Sequence, residues 1–283
     1  MNQKLVFFIN GKFSSEDKAK IPVMDLGLLR GYGLFDFLRT YNGKPFLIDY
    51  HIKNFINSAE KIGLSLPLRE KELRELILLT LRKNQFLKEA NIRIILTGGQ
   101  TSDSVTSLGK PTLLILVTPQ TVYPKDYYEK GISVITVKIN RTLPEIKSIS
   151  YLSAVMAVSC AKEKNAQEAI YLDTDNNLLE GTRTNLFFIK DQTLITANKN
   201  IYLGTTRKVV LILAKNNLKI EERIVNHKEL EEMDECFITS TSKEIMPVVK
   251  IGDNIIGNGK VGKKTSQLMN LFKNFVKGGL WKI

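Results

Sequence analysis

Glu145-Ile146-Lys147-Ser148-Ile149-Ser150-Tyr151-Leu152 joins two runs of different character. Before it, Ile132 to Ile139 reads as a strand; after it, Leu152 to Ala161 reads as an apolar helix. A lysine at that junction projects from structure on both sides, so it can be held still. Held in a dry pocket, its amine can lose a proton and become a nucleophile. Taken alone, the segment fits a solvated surface lysine better, because lysine is mostly exposed. The sequence on either side changes that balance.

Downstream, Leu179-Glu180-Gly181-Thr182-Arg183-Thr184-Asn185-Leu186-Phe187 sets an acid against a glycine between two strand-like runs. Gly204-Thr205-Thr206-Arg207 opens a helix, and Thr239-Ser240-Thr241-Ser242 is a hydroxyl cluster. The free N–H groups of a helix start can receive a phosphate dianion, although plain capping explains the threonines too.

The 283 residues suffice for one or two domains with real cores. Hydrophobic content of 43% and charged content of 25% are those of a globular protein, with no apolar run long enough to span a membrane. The start, Met1 to Asn10, reads as a strand and not as a secretory signal. Cys160 and Cys236 are far apart in apolar surroundings and read as buried thiols in a reducing cytoplasm. The net charge of +12 comes from scattered lysines with no arginine-rich tract or basic helical stripe, which argues against nucleic acid and for anionic small molecules. His51 and His227 have no partners at metal-ligand spacing, so no metal site is expected.

Leu5 to Phe13 and Leu34 to Ile48 read as hairpins turning at Asn10-Gly11 and Asn42-Gly43, with Asp49 as the cap of the helix that follows. That helix carries Ile52, Phe55, Ile56, Ala59 and Ile62 on one face, and the next carries Leu73, Leu76, Ile77 and Leu81. Strands at Asn91 to Thr97 and Thr112 to Thr118 complete an α+β domain over residues 1–118. A linker at 119–126 leads to a second domain, 127–283, with short strands and helices at Leu152 to Lys164, Thr206 to Asn216 and Lys263 to Phe275.

Lysine, acid, Gly-Thr-Thr and hydroxyl cluster, in that order, resemble the fold-type IV pyridoxal-phosphate enzymes, or class IV aminotransferases. Within them the likeness is nearest to D-amino-acid aminotransferases, with branched-chain aminotransferases and aminodeoxychorismate lyases as relatives. The segment Phe237 to Val248 carries it most closely. The resemblance implies a smaller N-terminal α/β sandwich and a larger C-terminal barrel-like domain. On the same resemblance, the cofactor is expected to be pyridoxal 5′-phosphate, in the crevice between the domains. The resemblance likewise implies an amino acid and a 2-oxo acid as substrates, and a homodimer with shared sites.

It further implies that Lys147 holds the cofactor through its amine and shuttles the α-proton, while Glu180 faces the pyridine nitrogen. Tyr151 lies near the phenolic oxygen, and Thr205, Thr206, Ser240 and Thr241 take the phosphate. One departure stands out. The family usually has an arginine three residues beyond the histidine of the first long helix, and here Asn54 follows His51, bringing a hydrogen bond but no charge. For the substrate, Phe35, Asp36 and Phe37 line the pocket in relatives, and Phe37 is unlike the small hydroxyl residues of lyases. Arg93 and Arg30 are candidates to hold the α-carboxylate, with an internal salt bridge as the alternative for Arg93. Arg30, in the apolar segment Asp25 to Gly31, would serve the neighbouring chain's site. Pyruvate elimination by a lyase is the second reading, and a non-catalytic protein that kept the fold is the third.

Overall fold

A computed structural model describes residues 3–279 and 281. Met1 and Asn2, at the head of the run read as a strand, lie outside the described residues. Two compact units are present: residues 3–121, 146–151, 279 and 281 form the first, and residues 122–145 and 152–278 the second.

The first unit is a six-stranded sheet with the order β2 (Lys12–Ser15), β1 (Val6–Ile9), β6 (Thr112–Pro119), β5 (Ala90–Thr97), β3 (Gly33–Tyr41), β4 (Lys44–Pro45). The two hairpin turns form where they were expected. Asn10 and Gly11, like Asn42 and Gly43, all have positive φ, the backbone that tight two-residue hairpins require. Helices α2 (Ile48–Lys61) and α3 (Glu70–Lys83) lay apolar stripes on the sheet, so that Ile52, Phe55, Leu73 and Ile77 join Leu34, Leu38, Ile92 and Ile94 in one core. Asp49 is not the cap of α2. It sits inside the first turn and pairs with Arg74 at 2.8 Å, while the helix starts from Leu47 in the left-handed region with no side-chain cap.

Asp25 to Gly31, the apolar segment that carries Arg30, is ordered. It forms a short helix, α1 (Leu26–Arg30), because Asp25 caps it through the Gly27 N–H at 2.7 Å. The other oxygen of Asp25 takes the hydroxyls of Thr97 and Thr112 at 2.9 and 2.7 Å, which fixes α1 to the sheet.

Residues 146–151 also depart from the expectation that 127–283 is one continuous domain. They return to the first unit because their backbone runs beside β3: Phe35 N–H donates to the Lys147 carbonyl at 2.8 Å and Ile149 N–H to that of Gly33 at 3.1 Å. Ile146 is fully buried in the first core.

In the second unit six strands close into a barrel, in the order β10 (Asn185–Lys190), β14 (Glu235–Ser240), β15 (Glu244–Ile251), β7 (Ile132–Lys138), β8 (Glu168–Leu172), β9 (Asn177–Gly181) and back to β10. The closing pair is Glu180 opposite Asn185. Strands β11 (Thr193–Thr196), β12 (Lys219–Glu222), β13 (Val225–Asn226) and β16 (Asn254–Ile255) extend the sheet beyond the ring. Closure leaves those six strands without an open edge. Around it stand α4 (Asp126–Glu129), α5 (Leu152–Glu163), α6 (Thr205–Ala214) and α7 (Lys263–Lys277). The one-turn α4 and the two-residue strands carry too little periodicity to be read from sequence.

Candidate active site

Along β3 the pleat sends Leu34, Asp36 and Leu38 to the buried face and Phe35 and Phe37 to the other. Asp36 therefore meets α2 and does not share a face with the two phenylalanines. One of its oxygens lies 2.8 Å from Nδ1 of His51, on the buried face of α2, and the other accepts from Nζ of Lys147 at 3.1 Å. Burial pushes the Asp36 carboxyl up, but Lys147 and His51 outweigh it and hold the group well below the usual carboxylate range. Nε2 of His51 is buried with no hydrogen-bond partner.

His51 is the residue that sequence reasoning passed over as a site member. The signal was present: an acid on the buried face of a strand and a histidine on the buried face of the next helix must find each other, since neither has water. Lys147 thus stands with its backbone fixed to β3 and its amine on a buried carboxylate.

On the opposite face Phe35 packs edge-on against Tyr151, with ring centroids 5.4 Å apart. Arg93, paired across β5 with Phe37, is exposed and lies over both Phe35 and Phe37, 5.8 and 5.5 Å from their centroids. No carboxylate among the described residues pairs with it, so the internal salt bridge is not the arrangement found. Arg30 is exposed on α1 and donates to the carbonyl of Leu29. Asn54 is half-buried on α2, its carbonyl taking the Ser58 hydroxyl at 2.7 Å.

The second unit brings its own set to one rim of the barrel. Glu180 is 4% exposed, ion-paired with Arg141, and accepts from the Tyr202 N–H at 3.0 Å. Gly181 is needed behind it, since a Cβ there would come within 2.1 Å of the Thr184 hydroxyl. Asn185 lies opposite both Glu180 and Thr239. Its amide donates to the Tyr202 carbonyl at 2.6 Å and its oxygen accepts from Gly204 N–H at 3.3 Å, which anchors the start of α6. Gly204 offers no side chain to cap α6, and Thr205 and Thr206 in the first turn are buried. Beside them the end of β14 leads into Ser240 and Thr241, and the Thr239 hydroxyl is buried without a partner.

This donor set fits a phosphorylated pyridine. An uncapped ten-residue helix start and an orphaned threonine beside two further hydroxyls suit a dianion, and a buried carboxylate suits a ring N–H.

Comparison with known proteins agrees. The model of the family "Amino-transferase class IV" matches residues 33–251. A Methanocaldococcus jannaschii protein named "Putative branched-chain-amino-acid aminotransferase" is 36% identical over 277 residues, covering 94% of this chain and 95% of that one. The D-alanine aminotransferase of Staphylococcus epidermidis is 33% identical over 276 residues, covering 95% and 97%. Among solved structures, a T.th. branched-chain amino acid aminotransferase with pyridoxamine 5′-phosphate superposes with a TM-score of 0.90 at 26% identity, covering 97% of this chain and 95% of that one.

Asp36 yields a pH prediction. A depressed carboxyl contributes stability that is complete above its unfolded pKa of about 4 and is lost as pH falls below it. Asp36→Asn should cost about 1.5–3 kcal/mol in urea denaturation at neutral pH, because it removes the charge from the bond to the partly exposed Lys147 amine. The gap between variant and parent should narrow as the pH is lowered through about 4. A gap that stays constant with pH contradicts the ion pair.

Proposed function

The chain belongs to the class IV aminotransferases, and from that premise we propose which of its residues carry out amino-group transfer and on what. It is a pyridoxal-phosphate-dependent enzyme acting on an amino acid and a 2-oxo acid. When bound, the cofactor supplies the carbonyl that takes the amino group and a ring that withdraws electrons from the substrate α-carbon.

Lys147 would hold the cofactor through Nζ, and its amine is the group that would move the α-proton. The observation that carries this role is the Asp36 contact, which holds the amine in place where the backbone of residues 146–151 runs along β3. Asp36 retains the displaced amine, and His51 positions Asp36 from behind. Glu180, oriented by Arg141 and the Tyr202 N–H, would hold a proton at the ring nitrogen. The first turn of α6 with Ser240 and Thr241 would hold the phosphate, its helix-end N–H groups supplying donors in place of the charge that Asn54 lacks. Tyr151, packed on Phe35, would lie near the phenolic oxygen.

The substrate is an amino acid with an aliphatic side chain, of the branched-chain or D-alanine type. Support comes from the names of the relatives and from the aromatic face of Phe35, Phe37 and Tyr151. Arg93 and Arg30 offer cations for its α-carboxylate. The reaction runs in the cytoplasm: both cysteines are free thiols, Cys236 buried and Cys160 only partly so. No helix among the described residues is long and apolar enough to cross a membrane.

The enzyme works as a homodimer. Leu152, Val155 and Met156 lie at helical spacing on α5, and each is more than 60% exposed. Leu28 on α1 is 61% exposed. A second copy would cover such faces.

Lys147→Ala should remove the visible absorbance of the bound cofactor and multiple turnover together, whereas Glu180→Gln should lower kcat far more than it raises KM. Retained turnover in the first variant, or an unchanged kcat in the second, overturns the corresponding role. A panel of amino acids in both enantiomers, with 2-oxoglutarate or pyruvate as acceptor, should give its fastest rates with aliphatic side chains. In the same assay Arg93→Ala should raise KM about tenfold or more, the worth of one charge-assisted bond. Equal KM values in parent and variant exclude Arg93 from the carboxylate site. In sedimentation velocity the parent should run as a dimer and Val155→Glu/Met156→Glu as a monomer; a parent that runs as a monomer refutes the assembly.

A further inference from the structure

The barrel rim holds a second buried ion pair that the roles above leave unused. Lys243 is 3% exposed and Glu168 is fully buried, with Nζ 3.1 Å from one carboxylate oxygen. The other oxygen of Glu168 accepts from the Thr182 hydroxyl and, at 3.1 Å, from its own neighbour Ala169 N–H. Thr182 N–H in turn donates to the Ala169 carbonyl at 3.1 Å. One carboxylate therefore grips the chain two residues past Glu180. Lys243 ends the turn that carries Ser240 and Thr241. Its N–H donates to the Ser240 hydroxyl at 3.1 Å, and its carbonyl takes the Tyr128 hydroxyl at 3.3 Å. Its ammonium lies 5.6 Å from the centre of the Tyr123 ring, whose hydroxyl is 3.2 Å from that of Ser242.

A buried ion pair is a poor means of stabilising a fold, because desolvation consumes most of the attraction and an apolar pair of similar volume does as well. What a pair adds is direction. Here it joins the β14–β15 turn to the start of β8 and the end of β9 across the intervening β7, at the rim where Glu180 closes the barrel.

We propose that the Lys243–Glu168 pair is a positioning device that holds the Ser240–Lys243 turn, and with it the phosphate donors, in register with the Glu180–Thr182 segment. The inference rests on the assignment of the phosphate to Ser240 and Thr241. It requires that loss of the pair weaken recognition of the phosphate specifically, even where the fold survives.

The test is the ratio of affinities of the apoenzyme for pyridoxal 5′-phosphate and for pyridoxal, measured by equilibrium dialysis. Lys243→Met leaves Glu168 buried and unpaired and can fail to fold. The double variant Lys243→Met/Glu168→Gln removes both charges, keeps an acceptor for Thr182, and should melt close to the parent. In that double variant the ratio should fall about tenfold or more, as expected when charge-assisted bonds to the phosphate lose their geometry. A folded double variant whose ratio stays within about twofold of the parent overturns the proposal, as does an equal loss for both ligands, which marks a purely structural pair. Thr241→Ala separates the two levels. If it leaves the ratio unchanged, the phosphate assignment itself is wrong; if it lowers the ratio while the double variant does not, only the positioning role fails.

Discussion

A carboxylate out of reach of water must meet a cation or a set of donors, and three such carboxylates organise the functional parts of this chain. Asp36 faces Lys147 and His51, Glu180 faces Arg141, and Glu168 faces Lys243. Each is at most 4% exposed. The penalty for leaving any of them unpaired is large, so each acid dictates where its partner stands. For Asp36 the consequence is chemical. The buried acid of β3 holds the Lys147 amine in place.

The supporting structure around these acids is conventional in its physics. In the first unit, two helices bury apolar stripes on a sheet, and Asp25 gathers Thr97, Thr112 and the N–H of Gly27 to pin α1. The backbone of residues 146–151 gains hydrogen bonds by lying along β3, which draws a segment following β7 back into the first unit. In the second unit, barrel closure at Glu180 and Asn185 has a chemical counterpart: the asparagine that completes the ring also anchors the loop that starts α6. The Glu180 carboxylate and the helix start are therefore set by one residue.

Asn54 fits this scheme. The phosphate site proposed for the second unit consists of N–H and hydroxyl donors on α6 and the β14–β15 turn, and directional hydrogen bonds to a dianion need no permanent cation. The geometry of that turn then matters more than its charge, which is where the buried Lys243–Glu168 pair acts.

The residues by themselves determined a great deal. The Asn-Gly turns needed only the local tolerance of positive φ, and the stripes on α2 and α3 needed only helical spacing. The order of lysine, acid, Gly-Thr-Thr and hydroxyl cluster was enough to indicate the family. Other features were decided by tertiary structure alone. Asp49 looked like a cap, but the backbone enters α2 through a left-handed Leu47 and leaves Asp49 to Arg74. Asp36 looked like a neighbour of Phe35 and Phe37, but alternation along β3 turned it to the other face, where His51 waits on a helix. Lys243 and Glu168 are 75 residues apart and carry no pattern that links them. Local spacing reports which face a side chain takes; which partner occupies that face depends on long-range packing, and the cost of burying a charge settles the match only once the chain has closed around it.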